Sequence, residues 1–143
     1  MLIRQPRGFT LIELVSVVVL VGVLSVVLFS RLGGVHTANI QSSRDDVIAA
    51  LFFAQQQAMM RSTGNNIRVV LTTNSVSVTE DGAAINLGGS YYPLALPSGI
   101  TASSATFSYD KLGRTTAGTI TLSGSGGVSA SIRVEASGYA FAN

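Results

Sequence analysis

Residues 9–29 read FTLIELVSVVVLVGVLSVVLF, and this stretch decides how the rest of the chain is organised. Sixteen of its 21 residues are apolar and its single charge is Glu13. At ~1.5 Å per residue a helix of that length spans about 31 Å, close to the ~30 Å hydrocarbon thickness of a bilayer. Its wealth of Val would favour strand in water, but a lone segment in lipid has no partner for open backbone groups and must be helical. Composition agrees. Across 143 residues, 47% are hydrophobic and 11% charged, with a mean hydropathy of +0.46, whereas a soluble domain carries about 25% charged residues. With residues 1–29 set aside, the apolar share falls to 48 of 114, ordinary for a globular domain. The length suits one modest domain plus an anchor. No cysteine is present, which excludes a disulfide framework, a thiolate metal site and a cysteine nucleophile.

Working outward, Arg4 and Arg7 precede the segment and Arg31 follows it, so the positive-inside bias puts the start of the chain in the cytoplasm and the remainder outside. A secretory signal is the first competing reading. Its apolar core runs ~7–15 residues to a small-residue cut site, whereas this run is longer and continues into Ser30-Arg31-Leu32-Gly33-Gly34. A plain anchor is the second, and it gives no reason for Glu13, since an acid at mid-helix costs roughly 2.5–3.5 kcal/mol. Gly8-Phe9 supplies a reason. A cut between them would give Phe9 a new α-amino group, and Glu13, one helical turn on, lies on the same face. The carboxylate then has a cation on its own chain or, in better geometry, on an adjacent copy.

The run Arg7-Gly8-Phe9-Thr10-Leu11-Ile12-Glu13-Leu14-Val15 resembles the prepilin motif of the type IV pilin and type II secretion pseudopilin superfamily. The resemblance implies a pilin-like fold and a leader cut between Gly8 and Phe9 by a membrane aspartic prepilin peptidase, which also N-methylates Phe9. It implies that Glu13 neutralises a neighbouring subunit's amino terminus during assembly. Gly22 matches a small position of these helices. Where many relatives carry a helix-distorting proline this chain has Ser30, so any interruption of the helix falls to Gly33-Gly34. The stretches 50–61 and 107–114, Ile132-Arg133-Val134 and Gly138-Tyr139 are similar to the minor pseudopilin H, to FimT-type minor pilins and to the C subunit of mannose-sensitive haemagglutinin (MSHA) pili.

Beyond the membrane segment, Ile40, Val47, Leu51, Ala54 and Ala58 form a helical stripe with Gln41, Arg44, Gln55 and Gln56 between them. The helix is expected to stop at Gly64-Asn65-Asn66 with Arg61 in its last turn. After it the composition turns to strand and turn residues. Strands are predicted at 67–72 and 76–79, joined by Thr73-Asn74-Ser75, and at 83–87 after the turn Glu80-Asp81-Gly82. Gly88-Gly89 is read as a break, and further strands at 91–96 (an edge, for Pro93), 105–109, 119–123 and 129–135. The fold class is α+β: a long N-terminal helix whose outer half packs on antiparallel sheet. The expected parts are a leader at 1–8, a transmembrane and assembly helix at 9–30, its amphipathic continuation at 31–64 and a β-rich globular domain at 65–143.

No catalytic or metal constellation emerges, and no cofactor is expected. His36 stands alone. Asp45-Asp46 and Glu80-Asp81 fit no calcium-loop spacing, and Gly124-Ser125-Gly126-Gly127 lacks the Lys and helix start of a phosphate cradle, so it reads as a hairpin loop. Lys111, Arg114 and Arg133 are the candidates for DNA contact. Residues 31–143 hold seven basic against six acidic groups, too even a balance for phosphate binding, and nucleic acid is not expected as a partner. The function expected is structural and non-enzymatic: a minor pilin or pseudopilin of the inner membrane with its domain in the periplasm, built with other pilins into a type IV (MSHA-like) pilus or a type II secretion pseudopilus. The alternative is a minor pilin acting as a binding module for DNA, a receptor or a secreted substrate.

Overall fold

The computed structural model describes residues 9–61, 66–85 and 91–143, with 29–36 described by backbone alone. Helix α1 spans Leu11–Met60 and stays helical through Gly33 and Gly34. Within it the chain divides into two units, Met1–Val35 and His36–Asn143.

In the first unit, Leu11–Leu28 is long and apolar enough to cross a membrane, and none of it is buried. It is apolar on all sides, as a lipid-facing helix must be. Its serines do not spoil it. Ser16 Oγ donates to the Ile12 carbonyl at 2.6 Å and Ser25 Oγ to that of Val21 at 2.7 Å, so each hydroxyl is satisfied within the helix.

In the second unit the predicted stripe is the buried one: Ile40, Val47, Leu51, Ala54 and Ala58 join one core cluster with the strands. Ser43, fully buried among them, returns its hydroxyl to the Asn39 carbonyl at 2.9 Å. The helix ends at Met60, before the expected stop; Gly64 and Asn65 lie outside the described residues. Arg61 is therefore past the last turn, and its guanidinium meets Glu80 at 2.7 Å instead of the helix carbonyls.

Two antiparallel sheets complete the α+β fold. The first holds β1 (Ile67–Leu71), β2 (Ser75–Glu80), β3 (Ala83–Ala84), β4 (Leu94–Ala95) and β6 (Ala105–Tyr109) in the order β3-β2-β1-β6, with β4 also on β2. The second holds β5 (Ile100–Ala102), β7 (Gly118–Gly124), β8 (Ser129–Val134) and β9 (Ala140–Ala142) in the order β5-β7-β8-β9. Alternation fixes the register. Val69 pairs with Val78 and Phe107, and Ile120 with Ile132, all buried, while Arg68, Thr121 and Arg133 face outward. Asp81 and Gly82 take φ of 52° and 89°, the doubly left-handed turn that suits a two-residue hairpin between β2 and β3.

The structure corrects the strand reading in four places. The strand expected at 83–87 is only Ala83–Ala84 in its described part, and that expected at 91–96 is only Leu94–Ala95, at the edge where Pro93 allows it. Gly88-Gly89 lies outside the described residues. Strands β5 and β9 were not expected, because three-residue segments are too short to show a period of two.

Candidate processing and assembly site

The N-terminus of α1 is closed by its own side chains. Thr10 stands at the cap position, with the Glu13 and Leu14 N–H groups donating to its carbonyl at 3.1 and 3.2 Å. The Glu13 N–H also donates to Thr10 Oγ1 at 3.3 Å. In return, Glu13 Oε2 accepts from the Thr10 N–H and from Thr10 Oγ1, both at 3.4 Å. This is a reciprocal capping box, a Thr followed three residues later by Glu, which satisfies N–H groups that the helix leaves open. The carboxylate is therefore folded back toward Phe9, which is 82% exposed and immediately precedes the cap. A negative group is also favoured there by the helix dipole. The sequence offers Glu13 a cation at Phe9, on its own chain or on an adjacent copy; the structure adds its bonds to Thr10. Gly8 lies outside the described residues.

Residues 3–29 match the family described as the prokaryotic N-terminal methylation motif. The chain carries a prokaryotic N-terminal methylation motif. The match supports the type IV pilin and pseudopilin superfamily, a generally structural family whose prepilins meet a prepilin peptidase and assemble with other pilins. The apolar stretch Leu11–Leu28, which lies within the matched residues, fits membrane anchoring. Comparison with curated proteins and with solved structures gave no match.

The other candidate residues take structural places. Arg44 pairs with Asp45 at 2.9 Å, and Asp81 Oδ1 accepts the Asn66 N–H at 3.1 Å. Among the described residues no group of three or more His, Cys, Asp or Glu could hold a metal ion. The His36 side chain lies outside the described set. Residues 125–127 form a 3-10 turn that joins β7 to β8, with Gly126 and Gly127 at positive φ. Arg114 is tied to Asp110 at 2.8 Å, Lys111 is exposed in the same loop, and Arg133 stands on the outward face of β8 beside Phe141. Asp110 is held below the usual carboxylate range, chiefly by the Arg114 backbone N–H, and further by the Arg114 side chain and the Leu112 N–H.

Gln55, read as a polar position on the helix, is instead a clamp. Its Nε2 donates to the Gly113 carbonyl at 3.0 Å and to the Ser137 carbonyl at 3.1 Å. It thereby joins the loop after β6 to the turn before β9.

Proposed function

We propose that this chain is a minor pilin or pseudopilin. Residues 1–8 are a cytoplasmic leader; a prepilin peptidase cuts between Gly8 and Phe9 and methylates the new Phe9 amine. Residues 9–30 form the transmembrane and assembly helix, residues 31–64 continue it, and residues 65–143 are a periplasmic domain. The observation that carries this reading is the methylation motif matched over 3–29, which takes in the apolar stretch Leu11–Leu28, exposed among the described residues.

The capping box supplies the chemistry. Before assembly, Thr10 holds the Glu13 carboxylate at the helix start, which lowers the cost of keeping it near lipid. On assembly the carboxylate turns to the Phe9 amine of a neighbouring subunit. Helices exchange lipid for each other with little hydrophobic gain, so packing and this ion pair set the register. An N-terminal mass measurement on protein from cells carrying the peptidase tests the reading. A chain beginning at methylated Phe9 is expected, and an intact Met1 would overturn it.

A further inference from the structure

Strand β6 is the longest edge strand of the two sheets. The strands at the other side of its sheet, β3 and β4, have two residues each, and the end strands of the second sheet, β5 and β9, have three. β6 runs five residues in unbroken register with β1, with no proline, charge or bulge of the kind that blunts an edge. The direction of its backbone groups follows from the ladder. The Thr72 N–H donates to the Ser75 carbonyl and the Asp81 N–H to that of Asn66, so the even-numbered residues of β1 bond β2, and Ile67, Val69 and Leu71 turn to β6. Their partners are Tyr109, Phe107 and Ala105. Thr106 and Ser108 therefore point N–H and C=O away from the sheet, and neither has a hydrogen-bond partner there among the described residues. Past Ser108 the edge is covered only briefly. The Asp110 N–H donates to the Arg114 carbonyl at 3.0 Å, which starts the chain back along β6, but the Thr115 N–H goes to the Ala136 carbonyl at 3.1 Å and the returning segment peels away. The gap is a notch of about 310 Å³ lined by Ser108, Tyr109, Asp110, Arg114, Thr115 and Thr116. Two of these, Tyr109 and Thr115, hold buried hydroxyls with no partner among the described residues.

We propose that the open edge of β6 binds an extended acidic segment of another polypeptide, which pairs its backbone with Thr106 and Ser108 and runs into the notch beside Arg114. Two residues spaced two apart, each offering a donor and an acceptor, match the repeat of an extended chain and not that of a helix. Charge selects the side chains. Arg68, the register partner of Ser108, is exposed and has no acidic partner among the described residues. Lys111 and Arg114 follow on the same edge, and residues 105–116 hold one acid, Asp110. Charge also turns the search away from this chain. The stretches 1–8, 62–65 and 86–90, outside the described residues, contain no Asp or Glu. A second copy has no free acidic strand to lend: Glu13, Asp45 and Asp46 lie on α1, and Glu80, Asp81 and Asp110 are engaged by Arg61, Asn66 and Arg114. Glu135 is closed into a turn by the bond of its N–H to the Tyr139 carbonyl. The site depends on the fold of the second unit and not on leader cutting.

The probe is a short capped peptide of alternating threonine and glutamate, titrated into the full chain in mild detergent while amide hydrogen exchange is followed residue by residue. One control is the same peptide with its backbone amides N-methylated, which keeps the charge and removes the donors; another replaces glutamate by lysine. At saturating peptide the Thr106 and Ser108 amides should exchange about tenfold more slowly. The methylated peptide should bind about tenfold more weakly and the lysine peptide not at all. Arg68→Gln, on the outward face, should weaken binding about threefold. Thr106→Pro removes an outward N–H and no ladder bond, so it should keep the melting temperature within a few degrees and still cost about tenfold in binding. If Thr106→Pro unfolds the domain, that N–H does not lie on the open edge and the proposal is overturned. Equal binding of the methylated and unmethylated peptides, or equal slowing of the two amides by a DNA oligonucleotide, would reduce the site to a charged patch and overturn it too. So would no binding at millimolar peptide.

Discussion

Gly138 concentrates more of the domain's stability than its size suggests, and Gly138→Ala measures how much. Its φ is +87°, a conformation in which a side chain is strained by roughly 1–2 kcal/mol. A Cβ at this position would also run into the Gly113 carbonyl and lie 2.5 Å from Gln55 Nε2. The amide must then move and forfeit its bonds to Gly113 and Ser137, each worth about 0.5–1.5 kcal/mol. Together these come to about 3–4 kcal/mol, a large share of the ~5–15 kcal/mol that holds a domain folded. For a unit of this size about 1 kcal/mol shifts the melting temperature by ~4 °C, so a drop of about 12–16 °C is expected. Full-length chain in detergent is heated while the near-ultraviolet dichroism of its tyrosines is followed, since Tyr139 sits beside the mutated turn. Gln55→Ala made alone should cost about 2 kcal/mol, and the double variant should fall short of the sum by about 1–2 kcal/mol, because the same two bonds cannot be lost twice. A drop below ~4 °C for Gly138→Ala, or full additivity, would refute the clamp.

A charged residue in place of Gly8 should block leader removal, leaving an intact Met1 by N-terminal mass. Glu13→Val should stay in the membrane yet fail to enter filaments; normal filament entry would remove the ion-pair role, while Thr10→Val should lower assembly without abolishing it. Tyr92 and Tyr109 are both pushed up to about 12, chiefly by burial. Their neutral forms therefore favour the fold fully below pH ~10, and that contribution is lost as pH rises toward ~12. Tyrosinate absorbance should show Tyr92 and Tyr109 titrating late. Asp110 has the opposite sign. Its lowered value adds order to the 110–114 loop above the normal aspartate range, lost as pH falls through the lowered value, and the Leu112 and Arg114 amide resonances should move together there.

The elements that were legible in the sequence are those whose period is long enough to be seen. The stripe from Ile40 to Ala58 spans five helical turns, and β1, β6, β7 and β8 each show alternation over five to seven residues. Fold class and core follow from these. Strands β5 and β9 are held by neighbours, β5 by β7 and β9 by β8, and carry no pattern of their own. Gln55 was illegible for a related reason: an amide between polar neighbours on a helix looks solvated, and only the chain's return at Gly113 and Ser137, 58 and 82 residues on, gives it two carbonyls. Glu13 was legible as out of place, since a charge in an apolar run needs a reason. Its bond to Thr10 follows from the same stretch, a Thr three residues before a Glu at a helix start.

Charge separates the parts of the sequence more sharply than hydropathy does. Residues 9–143 hold seven basic and seven acidic side chains, so the net +2 comes wholly from Arg4 and Arg7. In the function proposed above, a leader that carries the entire imbalance would orient the chain at the membrane and, once removed, would leave a neutral subunit. Neutrality has a physical use in an assembly of many copies, because like-charged subunits would repel at every contact. In the proposed assembly, what selects one packing over another is local, as with the Glu13 carboxylate at the helix start. It sits on α1, whose 18-residue apolar stretch is exposed among the described residues. Register in a bundle of such helices cannot come from apolar contact, which is nearly indifferent to axial slip; it has to come from the few polar groups whose displacement would leave a charge without its partner.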